Sequence, residues 1–297
     1  MSKNLKAHAA VLAANLIYGG NYSIAKAIMP EYILPFGFIL LRVVTGTILF
    51  FIAGMFIREK IEPKDFKRLA ACGLFGVAIN QLMFFAGLAA TSPIHAALIM
   101  TTNPIMVLLM AHLVIREKIS VLKISGIISG LAGAVLLIML NPYAESGEAT
   151  ARGDLMILIN SISFAIFLVM IKPLMKKYHT ITMMKWVFLF GLVPVIPFGF
   201  NELGAAEWGK MNISIWMGVI YVVVGTTFVA YLLNILALNQ LSPSVVSFYI
   251  YLQPLFATLI SIMTGTDSPN LFHLLCAILI FAGVYMVSRP SPGRLPA

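Results

Sequence analysis

Charged residues are scarce in this sequence: only 10 % of its 297 residues are Asp, Glu, Lys or Arg, whereas 60 % are hydrophobic. Soluble globular domains carry about 25 % charged residues. The composition, with a mean hydropathy of +0.96, therefore excludes a soluble domain as the main body of the chain. Runs of about twenty apolar residues predict an all-α integral membrane protein with ten transmembrane helices, at residues 7–28, 35–57, 68–89, 93–114, 119–140, 154–174, 181–200, 213–238, 243–264 and 270–288.

Cysteine and the usual catalytic motifs are almost absent. Both cysteines, Cys72 and Cys276, lie inside predicted spans, so neither a disulfide nor a cysteine-based metal site is expected. The sequence has no HExxH zinc motif, no GxSxG elbow and no glycine-rich nucleotide-binding loop. His95, His112 and His273 are too widely spaced to predict a metal site. We therefore expect no enzyme, no ATP-driven pump and no cofactor.

Acidic residues are missing from the middle of every predicted span, because all eleven Asp and Glu residues fall in loops or at span ends. Exchangers of cations for protons generally need a titrating carboxylate inside the membrane, and the obvious position in the first span is Asn15. Flux is therefore expected not to depend on such a carboxylate. Proton coupling would then have to involve His95, His112, Lys26 or Arg42.

Basic residues follow the positive-inside pattern of membrane proteins. With a cytoplasmic N-terminus, sixteen of the twenty Lys and Arg residues lie at the cytoplasmic side, and only Arg152 and Lys210 lie outside. Both termini are therefore predicted to be cytoplasmic, and the net charge of +9 reflects membrane orientation rather than a nucleic-acid partner. A cleaved signal peptide ending near Ala25-Lys26-Ala27 is the alternative for the first span, although its removal would leave only nine spans.

An internal repeat relates the two halves of the chain. The segment SPIHAALIMTTNP at Ser92–Pro104 returns as SPSVVSFYIYLQP at Ser242–Pro254, 150 residues later and in an unbroken register. Five spans in each half would place the halves in the membrane with opposite orientation, which is the inverted-repeat plan of secondary transporters. The expected domains are a first five-helix repeat at 1–140, an external linker at 141–153, a second repeat at 154–290 and a cytoplasmic tail at 291–297.

Each copy of the repeat predicts a helix that starts and breaks at fixed points. Ser followed by Pro is a favourable helix start, and a second Pro about 16 Å further along frees a backbone carbonyl near mid-membrane. The residues before that Pro are Asn103 and Gln253. We expect both amides to face a central cavity as a pseudo-symmetric pair; the alternative is that they only cap the freed carbonyls.

Polar residues on other spans share helix faces and predict the rest of that cavity. Arg42 lies within the second span, where a charge is costly and generally functional; snorkelling of its side chain to the outer interface is the alternative. The other polar residues could instead hydrogen-bond neighbouring helices. The glycines Gly126, Gly130 and Gly133 predict close helix packing of the fifth span. The expected substrate-binding residues are Asn15, Tyr18, Tyr22, Arg42, Asn80, Gln81, His95, Asn103, Asn160, Tyr231, Tyr249 and Gln253.

The ten spans, the repeat, Arg42 and the run from Asn103-Pro104 through Arg116-Glu117-Lys118 into a glycine-rich span resemble the EamA family of the drug/metabolite transporter superfamily. The resemblance implies an inner-membrane permease in a lipid bilayer, a monomer or homodimer. It further implies a small-molecule substrate, since many members export amino acids or related metabolites through a central cavity.

Two positions depart from the family pattern. The second half has Asp267-Ser268-Pro269 where an acidic and a basic residue are common, and the first span has Tyr18-Gly19 in place of Trp-Gly. Because of these departures, the resemblance does not identify the substrate. The leading hypothesis is a secondary exporter of a small amphipathic metabolite, most plausibly an amino acid. The alternatives are efflux of lipophilic drug-like compounds and, in another class, a membrane-embedded enzyme or a receptor.

Overall fold

The computed structural model describes residues 3–91, 93–139, 150–263 and 271–289, and all of their side chains except those of Lys3, Tyr22, Ser23, Lys26, Pro93, Ile94 and Ser261. The described residues form helices joined by short connections, so the all-α prediction is confirmed. Most of the expected external linker and the expected C-terminal tail lie outside the described residues. The helices are α1 Lys3–Ile28, α2 Pro35–Gly54, α3 Pro63–Ala90, α4a Pro93–Met100, α4b Asn103–Ile115, α5 Val121–Met139, α6 Ala151–Ile171, α7 Thr180–Gly204, α8 Ile213–Gln240, α9a Pro243–Phe248, α9b Leu252–Met263 and α10 Leu271–Ser288.

Within the described parts of the chain, nine helical segments are long and apolar enough to cross a membrane, and α1 is not among them. With 26 residues, α1 has sufficient length, but it carries Asn15, Tyr18 and Asn21 on its buried side. It nevertheless packs inside the bundle against α8 and α9b. We therefore treat α1 as the tenth span, whose polar residues are shielded from lipid by its neighbours.

The packing of the helices follows a regular pairing. Helices α2 and α7 pack together, as do α5 and α10. The remaining main pairs form three sets of two. Helix α3 packs against α6 as α8 packs against α1, and α4b packs against α6 as α9b packs against α1. In the third set, α3 packs against α7 as α8 packs against α2. Adding or subtracting five from each helix number converts the first two pairs into themselves and each other pair into its counterpart in the same set, so the two halves use the same packing plan.

Four irregular segments interrupt the helices near the centre of the bundle. Both α3 and α8 contain π-helical turns, at Leu74–Ile79 and Tyr221–Val229. A turn at residues 101–102 separates α4a from α4b, and a 3₁₀ segment, Tyr249–Tyr251, separates α9a from α9b. The expected breaks near Asn103 and Gln253 are thus confirmed, and both lie just before the amide residue. Irregular turns of this kind are frequent at functional sites.

The predicted start of the ninth span is also confirmed. The side chain of Ser242 accepts a hydrogen bond from the backbone N–H of Val245 at 3.4 Å, and Pro243 is the first residue of α9a. An N-cap hydroxyl and a proline at the first helical position both suit a helix N-terminus, where four N–H groups have no partner inside the helix. The matching Ser92 lies outside the described residues.

Polar contacts fasten the helix ends on both sides of the bundle. On one side, Glu202 of α7 accepts hydrogen bonds from the first backbone N–H groups of α2, at 2.7 and 3.0 Å. On the other, Asp65 of α3 accepts from Lys177 and Tyr178, both at 2.8 Å. The hydrogen bond to Asp65 raises the pKa of Lys177 above its ordinary value. Lys177 therefore favours the folded state while it is protonated, and this contribution is lost as the pH rises through its raised pKa.

The glycine ridge of α5 packs as expected. Gly126 lies against the backbone of Gly283 in α10, Gly133 lies against the backbone of Cys276, and Gly130 meets the ring of Phe248. The prediction of close helix packing is confirmed, since a side chain at any of these positions would push α5 away from its neighbours.

Replacing Gly126 by alanine is expected to destabilise the protein by about 1–3 kcal/mol, the usual cost of overpacking. The added methyl group would lie 2.9 Å from the carbonyl oxygen of Gly283 and 2.6 Å from Val287. Thermal unfolding in detergent measures the effect. Gly204→Ala is the matched control, because no atom lies within 4 Å of the added group; an equal loss in both variants would contradict the packing account.

Candidate functional site

A cavity lies at the centre of the bundle, where the irregular turns of α3, α4, α8 and α9 come together. Seven helices line it, namely α1, α2, α3, α4, α6, α8 and α9, and α2 contributes Arg42. The cavity is lined by Asn15, Tyr18, Asn21, Arg42, Asn80, Gln81, Phe84, Phe85, Met100, Asn160, Phe164, Tyr231, Asn234, Val246, Ile250 and Gln253.

Arg42 is the charged residue of this cavity, and only 4 % of its surface is exposed. Its Nε donates to the hydroxyl of Thr227 at 2.9 Å and its Nη2 donates to Thr226 at 3.2 Å. Both threonines donate their own protons to the carbonyl of Val222, so they are fixed as acceptors for the guanidinium. The guanidinium carbon lies 4.7 Å from the ring centre of Phe85. The snorkelling alternative is therefore wrong.

No carboxylate among the described residues balances this buried charge. Among the described residues, none of the ion pairs involves Arg42, and no residue lining the cavity is acidic. A buried cation held only by two hydroxyl groups and an aromatic face remains poorly compensated. An anionic group that enters the cavity would gain a charge-assisted hydrogen bond from Arg42.

Three residues that line the cavity carry an amide oxygen without a partner in the described structure. Asn160 Nδ2 donates to the backbone oxygen of Asn80 at 2.7 Å, which fixes the orientation of the amide and leaves its Oδ1 buried without a hydrogen bond. The buried Oδ1 of Asn21 and Oε1 of Gln81 also lack a partner. Buried acceptors in proteins are normally satisfied. A ligand with N–H groups would satisfy them here.

Tyr231, two residues after the π-helical segment of α8, bonds the π-helical segment of α3 at the cavity wall. Its hydroxyl donates to the backbone oxygen of Gly76 at 3.0 Å and lies 3.5 Å from Nε2 of Gln81. On the opposite side, Gln253 Nε2 donates to Oδ1 of Asn15 at 2.9 Å, while Asn15 Nδ2 donates to Val11 O at 2.8 Å. These bonds hold α3 to α8 and α1 to α9 at the level of Arg42.

Apolar side chains form the remainder of the wall. The largest are the aromatic rings of Phe84, Phe85 and Phe164, with Met100, Val246 and Ile250 beside them. A mainly apolar wall with a few well-placed polar groups is typical of small-molecule sites. The cavity therefore suits an amphipathic ligand that carries an anionic group, a donor group and an apolar part.

Eight of the twelve expected site residues line the cavity together. They are Asn15, Tyr18, Arg42, Asn80, Gln81, Asn160, Tyr231 and Gln253.

Three of the remaining four lie elsewhere in the structure, and the side chain of the fourth, Tyr22, lies outside the described set. His95 is half exposed, with Nδ1 3.2 Å from Asp154 Oδ2 at the start of α6. Tyr249 hydrogen-bonds Nδ1 of His8 at 2.7 Å. Asn103 donates to the backbone oxygen of Ser161 at 3.2 Å, so it joins α4b to α6. It does not face the cavity with Gln253, and it does not cap a carbonyl of its own helix.

Some cavity residues are absent from the expected set. Asn21 is the clearest, because it lies three residues after Tyr18 and the helical period predicts the same face for both. Asn234 likewise lies three residues after Tyr231. The three phenylalanines and Met100 have no comparable signal, since apolar residues occur on every face of a membrane helix.

An amphipathic cavity at the centre of a ten-helix bundle, lined by interrupted helices, is typical of membrane transporters. The chain belongs to the EamA-like transporter family, whose sequence profile matches residues 5–139 and 151–289. The resemblance drawn from the sequence is therefore confirmed, and the protein is a transporter rather than an enzyme.

Individual relatives agree with this assignment. An "Uncharacterized transporter" of Archaeoglobus fulgidus is 23 % identical over 287 residues, covering 96 % of this chain and 98 % of its own. The Bacillus subtilis "Uncharacterized transporter YyaM" is 23 % identical, with 96 % and 94 % covered. A WAT1-related protein of Arabidopsis thaliana is 22 % identical, with 95 % and 85 % covered. A solved crystal structure aligns with a TM-score of 0.77 at 18 % identity over 95 % of this chain and 96 % of that chain, so the two share the fold.

Proposed function

We propose that this protein exports a small amphipathic metabolite, an amino acid, by alternating access through the central cavity, from a position in the cell inner membrane. The observation that carries the proposal is the buried Arg42, which lacks an acidic partner within the described structure and shares its cavity with residues whose amide oxygens also lack partners. A zwitterion supplies both missing partners at once. Its carboxylate binds Arg42, and its ammonium group donates to amide oxygens.

The amide acceptors assign the second contact. The orientation of Asn160 Oδ1 is fixed by the bond from Nδ2 to Asn80, and Gln81, whose Oε1 also lacks a partner in the described structure, lines the same cavity. An ammonium group has three donors and no acceptor, so it matches a pair of acceptors better than a hydroxyl does. The aromatic wall at Phe84, Phe85 and Phe164 would contact the apolar side chain of the substrate.

We further propose that the two five-helix halves are inverted repeats that rock about this cavity. The shared packing plan of the two halves and the equivalent positions of the four irregular turns support this arrangement. In such transporters, a site at mid-membrane is exposed first to one side and then to the other. The cavity residues would then come from both halves, as Arg42 and Asn160 do.

The test is a binding panel followed by matched analogues. Purified protein is screened against the proteinogenic amino acids by thermal shift, and dissociation constants are measured for the strongest ligand. We expect the decarboxylated amine of that ligand to bind at least about 100-fold more weakly, which corresponds to about 2.7 kcal/mol, and the analogue without the amino group at least about tenfold more weakly. Binding that survives loss of the carboxylate would overturn the proposal.

The same panel separates amino-acid transport from efflux of lipophilic cations. Arg42 is positive and no lining residue is acidic, so the field in the cavity opposes a cation. Cationic lipophilic dyes are therefore expected to bind weakly. A dye that bound more tightly than every amino acid would favour the drug-efflux alternative.

Gln253→Leu is expected to weaken binding of the panel's strongest ligand by about tenfold, whereas Asn103→Leu leaves it within about twofold. The reason is that Gln253 lines the cavity and positions Asn15, while Asn103 lies outside it and contacts Ser161. Both substitutions replace a buried amide that precedes a proline, so each controls for the other. A larger loss for Asn103→Leu would contradict the assignment.

The predicted orientation in the membrane can be tested with single cysteines in a background lacking Cys72 and Cys276. A cysteine at Gly209 is expected to react with a membrane-impermeant thiol reagent in intact cells, and a cysteine at Lys60 to react only after lysis. Both positions are exposed on the protein surface, on connections that lie at opposite ends of the bundle. Reaction at Lys60 in intact cells would reverse the orientation.

A further inference from the structure

A second cavity lies at the end of the bundle that the charge pattern predicts to be cytoplasmic. The start of α1, the end of α4b, the segment before α5, and the ends of α6, α8 and α10 surround it together with α9a. We call it the inner vestibule. It is lined by Asn4, His8, Ile115, Arg116, Glu117, Lys118, Lys123, Lys172, Gln240, Leu241, Ser242, Pro243, Val245, Val287, Ser288 and Arg289.

Five basic side chains and one acidic side chain line the inner vestibule, so its charge is strongly positive. Glu117 is already neutralised, because Lys123 Nζ lies 2.5 Å from its Oε1 and both side chains are about nine-tenths buried. Lys172 donates to the backbone oxygen of Leu241 at 2.8 Å, at the C-terminal end of α8. The guanidinium of Arg289 lies over the ring of Tyr285 at 4.5 Å.

Arg116 and Lys118 hold the remaining charge of the inner vestibule. Neither side chain forms an ion pair or a hydrogen bond with another residue of the described structure. The backbone of Arg116 is left-handed, with φ 54° and ψ 38°, and the turn is fastened by a bond from the N–H of Glu117 to Ala111 O at 3.0 Å. This turn places two exposed cations without a partner in the described structure, on either side of Glu117, at the wall of the inner vestibule.

The inner vestibule and the central cavity lie one after the other along α1 and α9a. On α1, His8 lines the vestibule and Asn15 lines the cavity; seven residues of α-helix span about 10 Å. On α9a, the neighbours Val245 and Val246 line the vestibule and the cavity respectively. The hydrogen bond between His8 and Tyr249 lies between the two volumes. A molecule entering from this end would therefore meet the basic wall before it meets Arg42.

We propose that the inner vestibule is an anion-collecting site, which gathers the carboxylate of the substrate on the predicted cytoplasmic side and delivers it to the central cavity. The inference rests on the proposed function for the identity of that carboxylate. A concave site with one sign of charge focuses the field and raises both the local concentration and the association rate of an oppositely charged ligand, by about 10–1000-fold. The paired Glu117 and Lys123 hold the wall rigid without cancelling this field.

The field can be measured without any substrate. A cysteine at Gln240, which is exposed and lines the inner vestibule, is placed in a background lacking Cys72 and Cys276. Its rates of reaction with the anionic reagent methanethiosulfonate ethylsulfonate and with the cationic ethyltrimethylammonium analogue are compared in nanodiscs of neutral lipid. We expect the ratio of the anionic to the cationic rate to fall at least about fivefold in Arg116→Asn/Lys118→Gln, and to fall likewise between about 0.01 and 1 M salt.

Lys60→Gln/Lys176→Gln is the matched control, because it removes two exposed lysines from the same predicted face but outside the inner vestibule. In this control, the ratio of the anionic to the cationic reaction rate should equal the ratio measured in the parent protein. Asparagine is chosen at Arg116 because it tolerates the left-handed backbone. An equal fall in the control and vestibule variants would overturn the proposal. Loss of the anionic advantage in nanodiscs of anionic lipid, beyond the loss that a cysteine at Lys60 shows in the same nanodiscs, would also overturn it, since a lipid headgroup would then be the occupant.

Transport measured from the predicted cytoplasmic side completes the test with the strongest ligand of the amino-acid panel. The vestibule variant is expected to raise KM about three- to tenfold with an unchanged kcat, because association weakens while the central site stays intact. An unchanged KM would contradict delivery to the cavity even if the reagent ratio had fallen. If no amino acid binds at all, the proposed function fails, whereas the reagent rates still decide whether the anion-collecting site exists.

Discussion

Replacing Arg42 by methionine is expected to abolish binding of the carboxylate-bearing ligand, with a loss of at least about 100-fold in affinity, while leaving the folded protein as stable as the parent. The loss follows from the position of the guanidinium, which is buried and lacks an acidic partner in the described structure. Methionine preserves the apolar contact with Phe85 and fills a similar volume. Binding and thermal unfolding, both measured in detergent, give the two readouts.

The expected effect on stability distinguishes a substrate-binding role of Arg42 from a purely structural role. Removing an uncompensated buried charge relieves a desolvation penalty, and the threonines that lose Arg42 keep their own donations to Val222. Arg42→Lys is the control, since it keeps the charge but loses the fork of donors; it should retain part of the affinity. A variant that unfolds at lower temperature yet binds normally would show that Arg42 serves the fold instead.

Asn160→Leu is expected to weaken binding of the amino acid about 10–100-fold and to have little effect on its analogue without the amino group. The substitution removes the buried Oδ1 that lacks a partner and also the 2.7 Å bond to the backbone of Asn80. The lost hydrogen bond costs about 1 kcal/mol, which the removal of an unsatisfied oxygen partly offsets. Fold stability should therefore change little.

Comparison of the two ligands makes the Asn160 prediction specific. An indirect effect on cavity shape would weaken both ligands equally, whereas loss of an ammonium contact weakens only the amino acid. Ser163→Ala on the same helix is the control, because Ser163 bonds the backbone of Phe75 at 2.5 Å and does not line the cavity. Equal losses for both ligands would contradict the role of Asn160.

Helical periodicity and the cost of burying polar groups predicted most of the cavity. Asn15 and Tyr18 share a face of an unbroken helix, and Arg42 lies too deep in its span to be incidental, so both inferences needed no tertiary information. His95 and Tyr249 do not line the cavity. The helical period of 3.6 residues does not hold through the turn at residues 101–102 or the 3₁₀ segment Tyr249–Tyr251, so a helical face cannot be extended across either break.

Other features have no sequence signal of their own. The π-helical turns at Leu74–Ile79 and Tyr221–Val229 occur in sequence without proline; the first packs against α6 and α7, and the second against α1 and α2. The start of α3 at Pro63 lies ahead of the expected start at residue 68, because the charged residues of its first turns lie at the end of the bundle rather than in lipid. Hydropathy reports where a helix enters the membrane, not where its hydrogen bonding begins.

An experimental structure with the strongest ligand of the amino-acid panel is the most direct test of the central claim. The account predicts that the ligand carboxylate lies within about 3 Å of the Arg42 guanidinium, with the ammonium group beside Asn160 Oδ1 and the apolar part against Phe84 and Phe164. A ligand bound in the central cavity with its carboxylate turned away from Arg42, or a ligand bound outside this cavity, would contradict the account.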